Sequence, residues 1–455
     1  MPISALDSLL FHKLFGTQEI RDIFNDKAYI QRCVDVEAAL ALAEARCGVI
    51  PSPAGRQIAT ALKDVNLDYN RLSSETEIVG YPVLPLVRQL SEACGDELGG
   101  YVHWGATTQD IQDSAAMLQI KAGLKVVDRC MLSLIGTLEG LSRKHRDTAM
   151  AGRTHMQHAL PVTFGYKLAV YLSSMRRHLE RLHQLWPRCL LVQFGGAAGT
   201  LASLATDEDP DRGVKVRKAL ALELELQDPG ITWHTARDGI AEIINFLAML
   251  GGTLGKIALD LIVMSSNEVG EVSEPFVPHR GASSTMPQKR NPISSEVILA
   301  ASKQLRANAG LVLDAMVSDF ERASGPWHLE WVAVPESFVV AVGALAQADF
   351  ALSGLVVNVG QMEKNLSSTK GLIVAEAAMM ELAKHTGRQR AHDIVYEACK
   401  ETIEGSEQRA LFDVLVQKPE VSNAISNEKL RNLCDPTKYL GAAGRMVDDV
   451  LAIHR

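Results

Sequence analysis

The chain is poor in aromatic residues and has no recognisable cysteine pair. Only 5% of its 455 residues are aromatic, and its seven cysteines include no Cys-x-x-Cys motif. An odd cysteine count without such a motif argues against a disulfide framework and a structural zinc site, and it suits a reducing cytoplasm. A basic surplus is missing too, because the formal net charge is −8. We therefore expect a cytoplasmic protein that does not bind nucleic acid.

Signals for export or membrane insertion are weak. The N-terminus lacks a basic stretch followed by a long apolar run, so we expect no secretory signal. Two apolar segments, 245–266 and 338–357, have roughly the length of a membrane span. The first carries Lys256 and Asp260, and the second carries Asp349. We interpret both as helices buried in a large bundle and expect no membrane partner.

Strong helix formers dominate most of the sequence, and we find no convincing series of strands. Apolar residues recur with helical spacing over 29–47. Longer helices are predicted at about 110–146, 161–186, 236–272, 294–317 and 335–356. Such long helices need partners along their length, which a bundle provides. The sequence therefore predicts an all-α fold with an N-terminal helical domain (1–105), a central long-helix bundle (106–356) and a small helical C-terminal domain (357–455).

Three segments between the predicted helices are dense in polar residues, namely 101–113, 152–163 and 281–295. Polar groups at the ends of rigid elements are a common location for chemistry. The third segment reads Gly-Ala-Ser-Ser-Thr-Met-Pro-Gln-Lys-Arg-Asn-Pro over 281–292. A loop of small residues, hydroxyls and a cation can close over an anion. The ordinary alternative is a helix cap followed by a solvated Lys-Arg pair.

This third segment resembles the signature of the fumarase/aspartase superfamily, which includes fumarase, aspartase, argininosuccinate lyase, adenylosuccinate lyase and 3-carboxy-cis,cis-muconate cycloisomerase. Two further segments resemble the other signature regions of that family: His-Trp-Gly-Ala-Thr-Thr-Gln-Asp over 103–110 and Gly-Arg-Thr-His-Met-Gln-His-Ala over 152–159. The resemblance extends over nearly the whole chain and is close to the muconate cycloisomerase and adenylosuccinate-lyase-like branch. It implies a homotetramer with a shared helical core, in which three subunits build each active site.

The reaction of that family is an anti β-elimination, or its reverse, on a small polycarboxylate. A base removes the proton next to a carboxylate, preorganised donors stabilise the enediolate, and an acid protonates the leaving group. By resemblance, Ser283 is the base and His155 is the candidate acid. Lys289 matches a residue that holds the carboxylate next to the reacting carbon, and it is expected to stabilise the Ser283 anion together with backbone amides and a helix N-terminus. His103 matches a histidine of adenylosuccinate-type sites.

The resemblance also implies residues that bind the substrate. These are Thr107, Thr108, Thr154, Gln157, Ser284, Met286 and Asn291. Arg237 is predicted to be a second carboxylate clamp, because a guanidinium offers two parallel hydrogen bonds. The glycine-rich run 195–200 could suggest a phosphate loop, but it lacks the Gly-Lys-Ser/Thr ending and follows no clear strand. No metal or nucleotide cofactor is expected, since no His-Glu-x-x-His motif occurs either.

The position of His155 bears on the type of reaction. Some bacterial muconate cycloisomerases carry Trp there, so the histidine favours C–N or C–O cleavage of a succinyl-type polycarboxylate with release of fumarate. Lactonising cycloisomerisation of 3-carboxy-cis,cis-muconate is the alternative. A catalytically inactive, crystallin-like protein is a remote one, because Ser283, Lys289, Asn291 and His155 are all present.

Overall fold

The computed structural model describes residues 4–322, 325–405 and 409–453. The described chain is mainly helical, which confirms the predicted all-α fold class. The N-terminal part contains α1 (His12–Phe15), α2 (Gln18–Ile23), α3 (Asp26–Arg46), α4 (Ser52–Leu62), α5 (Tyr69–Val79) and α6 (Val83–Gly99). Helix α3 covers most of the predicted helical segment 29–47 and begins earlier, because Asn25 caps it by accepting a hydrogen bond from the amide of Ala28 at 2.9 Å.

The middle of the chain contains the long helices. They are α7 (Thr108–Lys144), α8 (Phe164–Cys189), α10 (Asp238–Met264), α11 (Ile293–Ala315) and α12 (His328–Ser353), with the shorter α9 (Arg212–Leu224) between α8 and α10. All five predicted long helices are therefore present, and α7 reaches 37 residues. The predicted bounds were wrong mainly at α10 and α12.

Helix α10 ends at Met264 rather than near residue 272. The hydroxyls of Ser265 and Ser266 donate to the carbonyls of the last turn, at 3.0 and 2.9 Å, and so compete with continued helix. Helix α12 begins at His328 and contains Pro335, where the sequence predicted the start. The rings of Trp327 and Trp331 pack edge to face at 5.2 Å between centroids, and this packing outweighs the usual preference of proline for the first helical turn.

The described residues also form four short strands, β1 (Ala149–Thr154), β2 (Gln157–Thr163), β3 (Val272–Ser273) and β4 (Val356–Val357). Strands β1 and β2 make an antiparallel hairpin, and β3 pairs with β4. The hairpin covers most of the polar segment 152–163, which the sequence placed in a loop.

The C-terminal part contains short helices, namely α13 (Val359–Ser367), α14 (Ala375–Thr386), α15 (Arg388–Glu404), α16 (Leu411–Leu415), α17 (Pro419–Ser422), α18 (Asn427–Leu433) and α19 (Ala443–Leu451). Leu382, Ala398, Leu411 and Leu430 are buried in one apolar cluster there. A neighbouring cluster joins Ala151 of β1 to Ile373 and Val374, which fixes the base of the hairpin.

Packing divides the chain into two compact units. The first unit comprises residues 1–132, 178–255 and 297–347, and the second comprises 133–177, 256–296 and 348–455. Helices α3, α4 and α9 pack together in the first unit, around side chains such as Leu40, Ile58 and Leu220, which are fully buried. The three-domain division of the sequence stays a prediction.

Two helices, α10 and α12, are long and apolar enough to cross a membrane by length and composition. Half of the most apolar window of α10 and 67% of that of α12 are buried inside the protein. Core helices of soluble bundles meet the same criteria, so their burial favours the interpretation made from the sequence.

Candidate active site

The first polar segment enters α7 through Asp110, whose side chain is fully buried in the first unit. Its carboxylate accepts hydrogen bonds from the amides of Gly195 and Gly196, at 2.9 Å each, and from the ring Nε2 of His234, at 2.7 Å. It also accepts the amide of Thr107 at 3.0 Å, as a residue in the first turn does when it caps a helix. Asp110 thus fixes the start of α7 and the glycine-rich run together.

Thr107 and Thr108 stand at this helix start, half-buried. The hydroxyl of Thr107 accepts a hydrogen bond from Arg322 at 2.6 Å. Arg322 lies 215 positions further along the chain, and no local sequence pattern predicts that it reaches this segment. Its guanidinium adds a positive charge beside a residue that the resemblance assigns to substrate binding.

His103 precedes these threonines and adopts a left-handed backbone, with φ +62°. Its ring nitrogen Nδ1 lies 2.6 Å from Oε1 of Glu37, whose side chain is fully buried. Burial alone would lower the pKa of His103, but Glu37, aided by Asp110, outweighs burial and raises that pKa above its ordinary value. His103 is therefore held in one orientation beside a negative charge.

Arg237 lies in a buried ion network of the first unit. It donates to Asp113 at 2.8 and 2.9 Å and to Glu330 at 2.9 and 2.5 Å. Its side chain is only 1% exposed. Four of the five guanidinium N–H groups are engaged, so this geometry makes Arg237 a structural link between two acidic residues. A role as substrate clamp would require the network to open.

The second polar segment forms the tip of the hairpin in the second unit. Thr154 pairs with Gln157, so His155 and Met156 form a two-residue turn. Both turn residues have positive φ, at +50° and +63°, a conformation that such turns usually give to Asn or Gly. The four residues are exposed. A histidine in this conformation costs backbone energy, which is common where a side chain must point in a set direction.

The hairpin is anchored by Arg153, one residue before its tip. Arg153 donates to both oxygens of Glu271, at 3.0 and 2.7 Å, and the Glu271 side chain is fully buried. Asn365 of α13 donates to the same carboxylate at 2.8 Å. Burial lowers the pKa of the nearby His158, and the charge of Arg153 lowers it further. His158 thereby favours its neutral form, and His155 is the exposed histidine at the tip.

The third polar segment is a closed loop in the second unit. The amide of Asn291 donates to the carbonyl of Gly281 at 2.9 Å, and Ala282 bridges to Arg290. Gly281 has φ +68°, and a Cβ there would lie 2.4 Å from the carbonyl oxygen of Asn291. Only glycine fits this position, so the loop closure depends on it.

Inside this loop, the hydroxyl oxygen of Ser283 accepts hydrogen bonds from two backbone amides, those of Thr285 at 3.2 Å and Met286 at 3.1 Å. Two N–H dipoles aimed at one oxygen stabilise negative charge on it, which is what a serine needs to act as a base. Ser284 follows as an exposed residue on the same loop.

Three other predicted site residues of the loop, Met286, Lys289 and Asn291, line one cavity of about 650 Å³. The cavity is also lined by the acidic residues Glu268, Glu274 and Glu296 and by the basic residues Arg280 and Arg290. A cavity with both signs of charge suits a polar, ionised ligand.

The start of α11, which follows the loop, is occupied from within the chain. Glu274 accepts the amides of Ser294 and Ser295 at 3.1 and 2.8 Å. The sequence analysis expected a helix N-terminus to stabilise the anion of Ser283. In this conformation Glu274 occupies the N-terminus of α11, which is therefore not free to do so. The amides of the loop itself lie in that position instead.

A family model described as Lyase matches residues 15–306, and one described as Adenylosuccinate lyase C-terminus matches residues 371–450. The chain belongs to the fumarase/aspartase superfamily of lyases. This confirms the resemblance drawn from the three polar segments, and it makes the protein an enzyme of the lyase or cycloisomerase type.

Two curated relatives indicate the range of reactions. The chain is 44% identical to trans-aconitate decarboxylase 1 of Mycosarcoma maydis, over 96% of this chain and 88% of that protein. It is 41% identical to 3-carboxy-cis,cis-muconate cycloisomerase of Pseudomonas aeruginosa, over 98% and 96%. Other relatives and a solved structure are also named cycloisomerases, and a further solved structure is a 3-carboxy-cis,cis-muconate lactonizing enzyme from Pseudomonas putida.

Among solved structures, the chain is similar to a fumarate lyase from Mesorhizobium sp. BNC1, with 52% identity, a TM-score of 0.90 and coverage of 97% of this chain and 99% of that one. The relatives together favour the cycloisomerase alternative of the sequence analysis over its first interpretation, which was C–N or C–O elimination. Both reactions stay within the family.

Proposed function

We propose that this enzyme transfers a proton at the carbon next to a carboxylate of a small polycarboxylate, and that its reaction is lactonising cycloisomerisation of a 3-carboxy-cis,cis-muconate-type tricarboxylate. The observation that carries the proposal is the pair of amides that converge on Ser283 within a loop bearing Lys289 and Asn291. The similarity to cycloisomerases over nearly the full chain supports the choice of substrate.

In this reaction one carboxylate oxygen of the substrate adds to a carbon of the double bond. The π electrons move into the neighbouring carboxyl group and form an enediolate. Lys289 and Asn291 stabilise that charge by donating to the carboxylate. The adjacent carbon then takes a proton from the Ser283 hydroxyl, and the oxygen left on Ser283 is stabilised by its two amides until it is reprotonated. Solvent reprotonates Ser283, so the tricarboxylate takes up one proton in becoming the dicarboxylate lactone, and the two fully protonated acids are isomers.

Elimination with release of fumarate is the second candidate, and His155 favours it. A leaving amine or alkoxide needs a proton, whereas an attacking carboxylate does not. The strained turn places His155 at the exposed hairpin tip, which suits an acid acting on a leaving group. The similarity to a solved fumarate lyase supports this reaction.

The test is an ultraviolet and product assay against a substrate panel. The panel holds 3-carboxy-cis,cis-muconate, trans-aconitate, malate, aspartate, argininosuccinate, adenylosuccinate and N-substituted aspartates. Loss of the carboxymuconate chromophore without fumarate supports cycloisomerisation. Fumarate from an N-substituted aspartate supports elimination, and carbon dioxide from trans-aconitate supports decarboxylation. The proposal is overturned if no member of the panel is converted by folded protein.

Substitutions assign the roles. Ser283→Ala should lower turnover by roughly 10²–10⁴-fold in either reaction while the fold is kept. Ser353→Ala, an exposed serine at the end of α12, is the matched control and should leave turnover unchanged. His155→Gln should abolish elimination but leave lactonisation within about threefold, because only a leaving group needs the acid.

For assembly and location we propose a cytoplasmic homotetramer in which each site takes residues from three subunits. The exposure of the hairpin tip and of the loop around Ser284 in the single chain supports this, because substrate sites are normally enclosed. Gel filtration combined with dilution kinetics tests it. Activity should fall as the tetramer dissociates, and fully active monomers would contradict the proposal.

A further inference from the structure

The contact between Glu37 and His103 joins a buried carboxylate to a partly exposed ring. The Glu37 side chain is fully buried in the first unit, whereas that of His103 is 21% exposed. Nδ1 of the ring lies 2.6 Å from Oε1 of the carboxylate. Among the residues that the structure describes, no partner is found for Nε2. Nδ1 of the imidazole thus binds a carboxylate of the protein interior, and Nε2 is free to meet a ligand.

The backbone around His103 holds this orientation. His103 has φ +62°, and Gly105, two residues on, has φ +70°. A Cβ at Gly105 would lie 2.7 Å from a side-chain carbon of Leu204, so the loop is closely packed there. A left-handed conformation at a residue with a side chain persists only where its surroundings enforce it. The ring direction is therefore set by packing as well as by Glu37.

Two acidic groups face the ring. Glu37 comes from α3, and Asp110 comes from the start of α7; each raises the pKa of His103, whereas burial works in the opposite direction. Asp110 already accepts four hydrogen bonds from the helix start, His234 and the glycine-rich run. Glu37 has one described hydrogen-bond partner, His103, and its second oxygen is buried without one. Glu37 is therefore the carboxylate that depends on His103 for compensation.

We propose that Glu37 is a positioning residue that keeps His103 protonated, with Nδ1–H donated to Glu37 and Nε2–H presented to one carboxylate of the substrate. The proposal rests on the proposed function, because it assigns His103 to the recognition of a polycarboxylate. An imidazolium donates from both nitrogens and carries a positive charge, and such charge-assisted hydrogen bonds are the stronger kind. Without the Glu37 carboxylate the ring would be neutral at physiological pH and could present a bare acceptor nitrogen to an anion.

The experiment compares Glu37→Gln with Glu44→Gln. Glu44 is the matched control, since it is a fully buried carboxyl on the same helix, has no hydrogen-bond partner among the described residues, and is not part of the proposed site. NMR titration of the His103 ring gives its pKa, and kcat and KM are measured from pH 6 to 8.5 with the substrate found in the panel.

In Glu37→Gln, we expect the pKa of His103 to fall by about one unit or more. KM at pH 7.5 should rise about tenfold, while kcat stays within about threefold. The reason is that the contact of His103 with the substrate carboxylate, which contributes to binding, is lost. Lowering the pH to 6 should restore much of the affinity, since protonation returns the charge. The pKa of His103 and the KM of Glu37→Asp should lie between those of the wild type and of Glu37→Gln. Glu44→Gln should match the wild type in the pKa of His103, in KM and in kcat, and Glu37→Gln should add no effect on KM in a His103→Gln background.

Several outcomes overturn the proposal. One is an unchanged pKa of His103 in folded Glu37→Gln; another is an equal rise in KM at every pH. If neither Glu37 variant folds, the wild-type titration decides, because a pKa of His103 below its usual value of about 6.5 contradicts the proposal. If the panel yields no substrate, the proposed function fails, but the NMR comparison still tests the pairing of Glu37 with His103.

Discussion

The guanidinium of Arg237 donates two parallel hydrogen bonds to Asp113, at 2.8 and 2.9 Å, and both side chains are almost wholly buried. Glu330 binds the same guanidinium from α12, at 2.9 and 2.5 Å. Burial alone would lower the pKa of Arg237, but the two carboxylates raise it, so the residue stays charged. One cation thus compensates two buried acids.

Arg237→Met should therefore destabilise the protein strongly. Two acidic groups would be left buried without their cation, and breaking a buried pair in this way typically costs about 3–5 kcal/mol. Thermal unfolding and the yield of soluble protein measure the effect. Arg32→Met is the control, since its pair with Asp35 is exposed and should contribute less than about 1 kcal/mol. A stable Arg237→Met protein with weakened substrate binding would favour the clamp role instead.

Gly281→Ala should abolish the closed form of the loop 281–291, which contains Ser283. The added Cβ would lie 2.4 Å from the carbonyl oxygen of Asn291, so the contact that closes the loop would break. We expect turnover to fall at least about 10²-fold with little change in unfolding temperature, because the loop is exposed. Gly48→Ala is a matched control: Gly48 has φ +69° and open space around its Cβ position. It should cost about 1 kcal/mol of stability without affecting turnover. Equal activity of the two variants would show that the closed loop is not needed.

Glu44→Gln should stabilise the protein, and more so as the pH rises. Burial, helped by Glu37, raises the pKa of Glu44 from its ordinary value of 4.5 to about 9. Folding therefore takes up a proton between these two values, so the stability of the wild type falls as the pH rises through that window. The neutral amide removes this dependence, and its advantage at pH 7 should be on the order of 3 kcal/mol.

Thermal unfolding of wild type and Glu44→Gln at pH 5, 7 and 8.5 measures this effect. The difference in unfolding temperature should be small at pH 5 and largest at pH 8.5. Asp35→Asn, on the same helix but partly exposed, should show no comparable trend. A constant difference at all three pH values would mean that Glu44 does not titrate in this window.

Arg153→Met should loosen the hairpin. The fully buried Glu271 would lose both hydrogen bonds from the guanidinium and keep Asn365 as its donor there. We expect a loss of about 3 kcal/mol in stability and faster amide hydrogen exchange in β1 and β2. Arg445→Met is the control, because its pair with Asp449 lies on the surface. Unchanged exchange in the hairpin would show that its apolar base is sufficient.

The sequence could predict the long helices and the three polar segments, because helical periodicity and local motifs are properties of neighbouring residues. It placed Ser283, Lys289 and Asn291 on one loop, where the structure also has them. It could not predict the partners that fix these segments. Glu37 reaches His103 across 66 positions, Glu271 reaches Arg153 across 118, and Arg322 reaches Thr107 across 215. Such pairs follow from tertiary packing, which no local pattern records.

The same limit explains why the predicted start of α12 was wrong. The sequence analysis predicted a helix start at Pro335, because proline prefers the first turn. In the structure, α12 begins seven residues earlier, at His328, where Trp327 packs on Trp331. The interpretation of Arg237 as a clamp for a ligand stays a prediction, since an arginine among polar motifs is available to carboxylates of any origin. In the fold, its carboxylates come from the chain itself.

The glycine-rich run at 195–200 has a related consequence. The amides of Gly195 and Gly196 point at Asp110, so a loop that would bind a phosphate in another setting already holds an anion. That anion is covalently tethered, and its local concentration does not fall when the solution is diluted. The phosphate of a free nucleotide would have to compete with the Asp110 carboxylate for these two amides. The chain thus carries in its own sequence the anion that occupies these two amides.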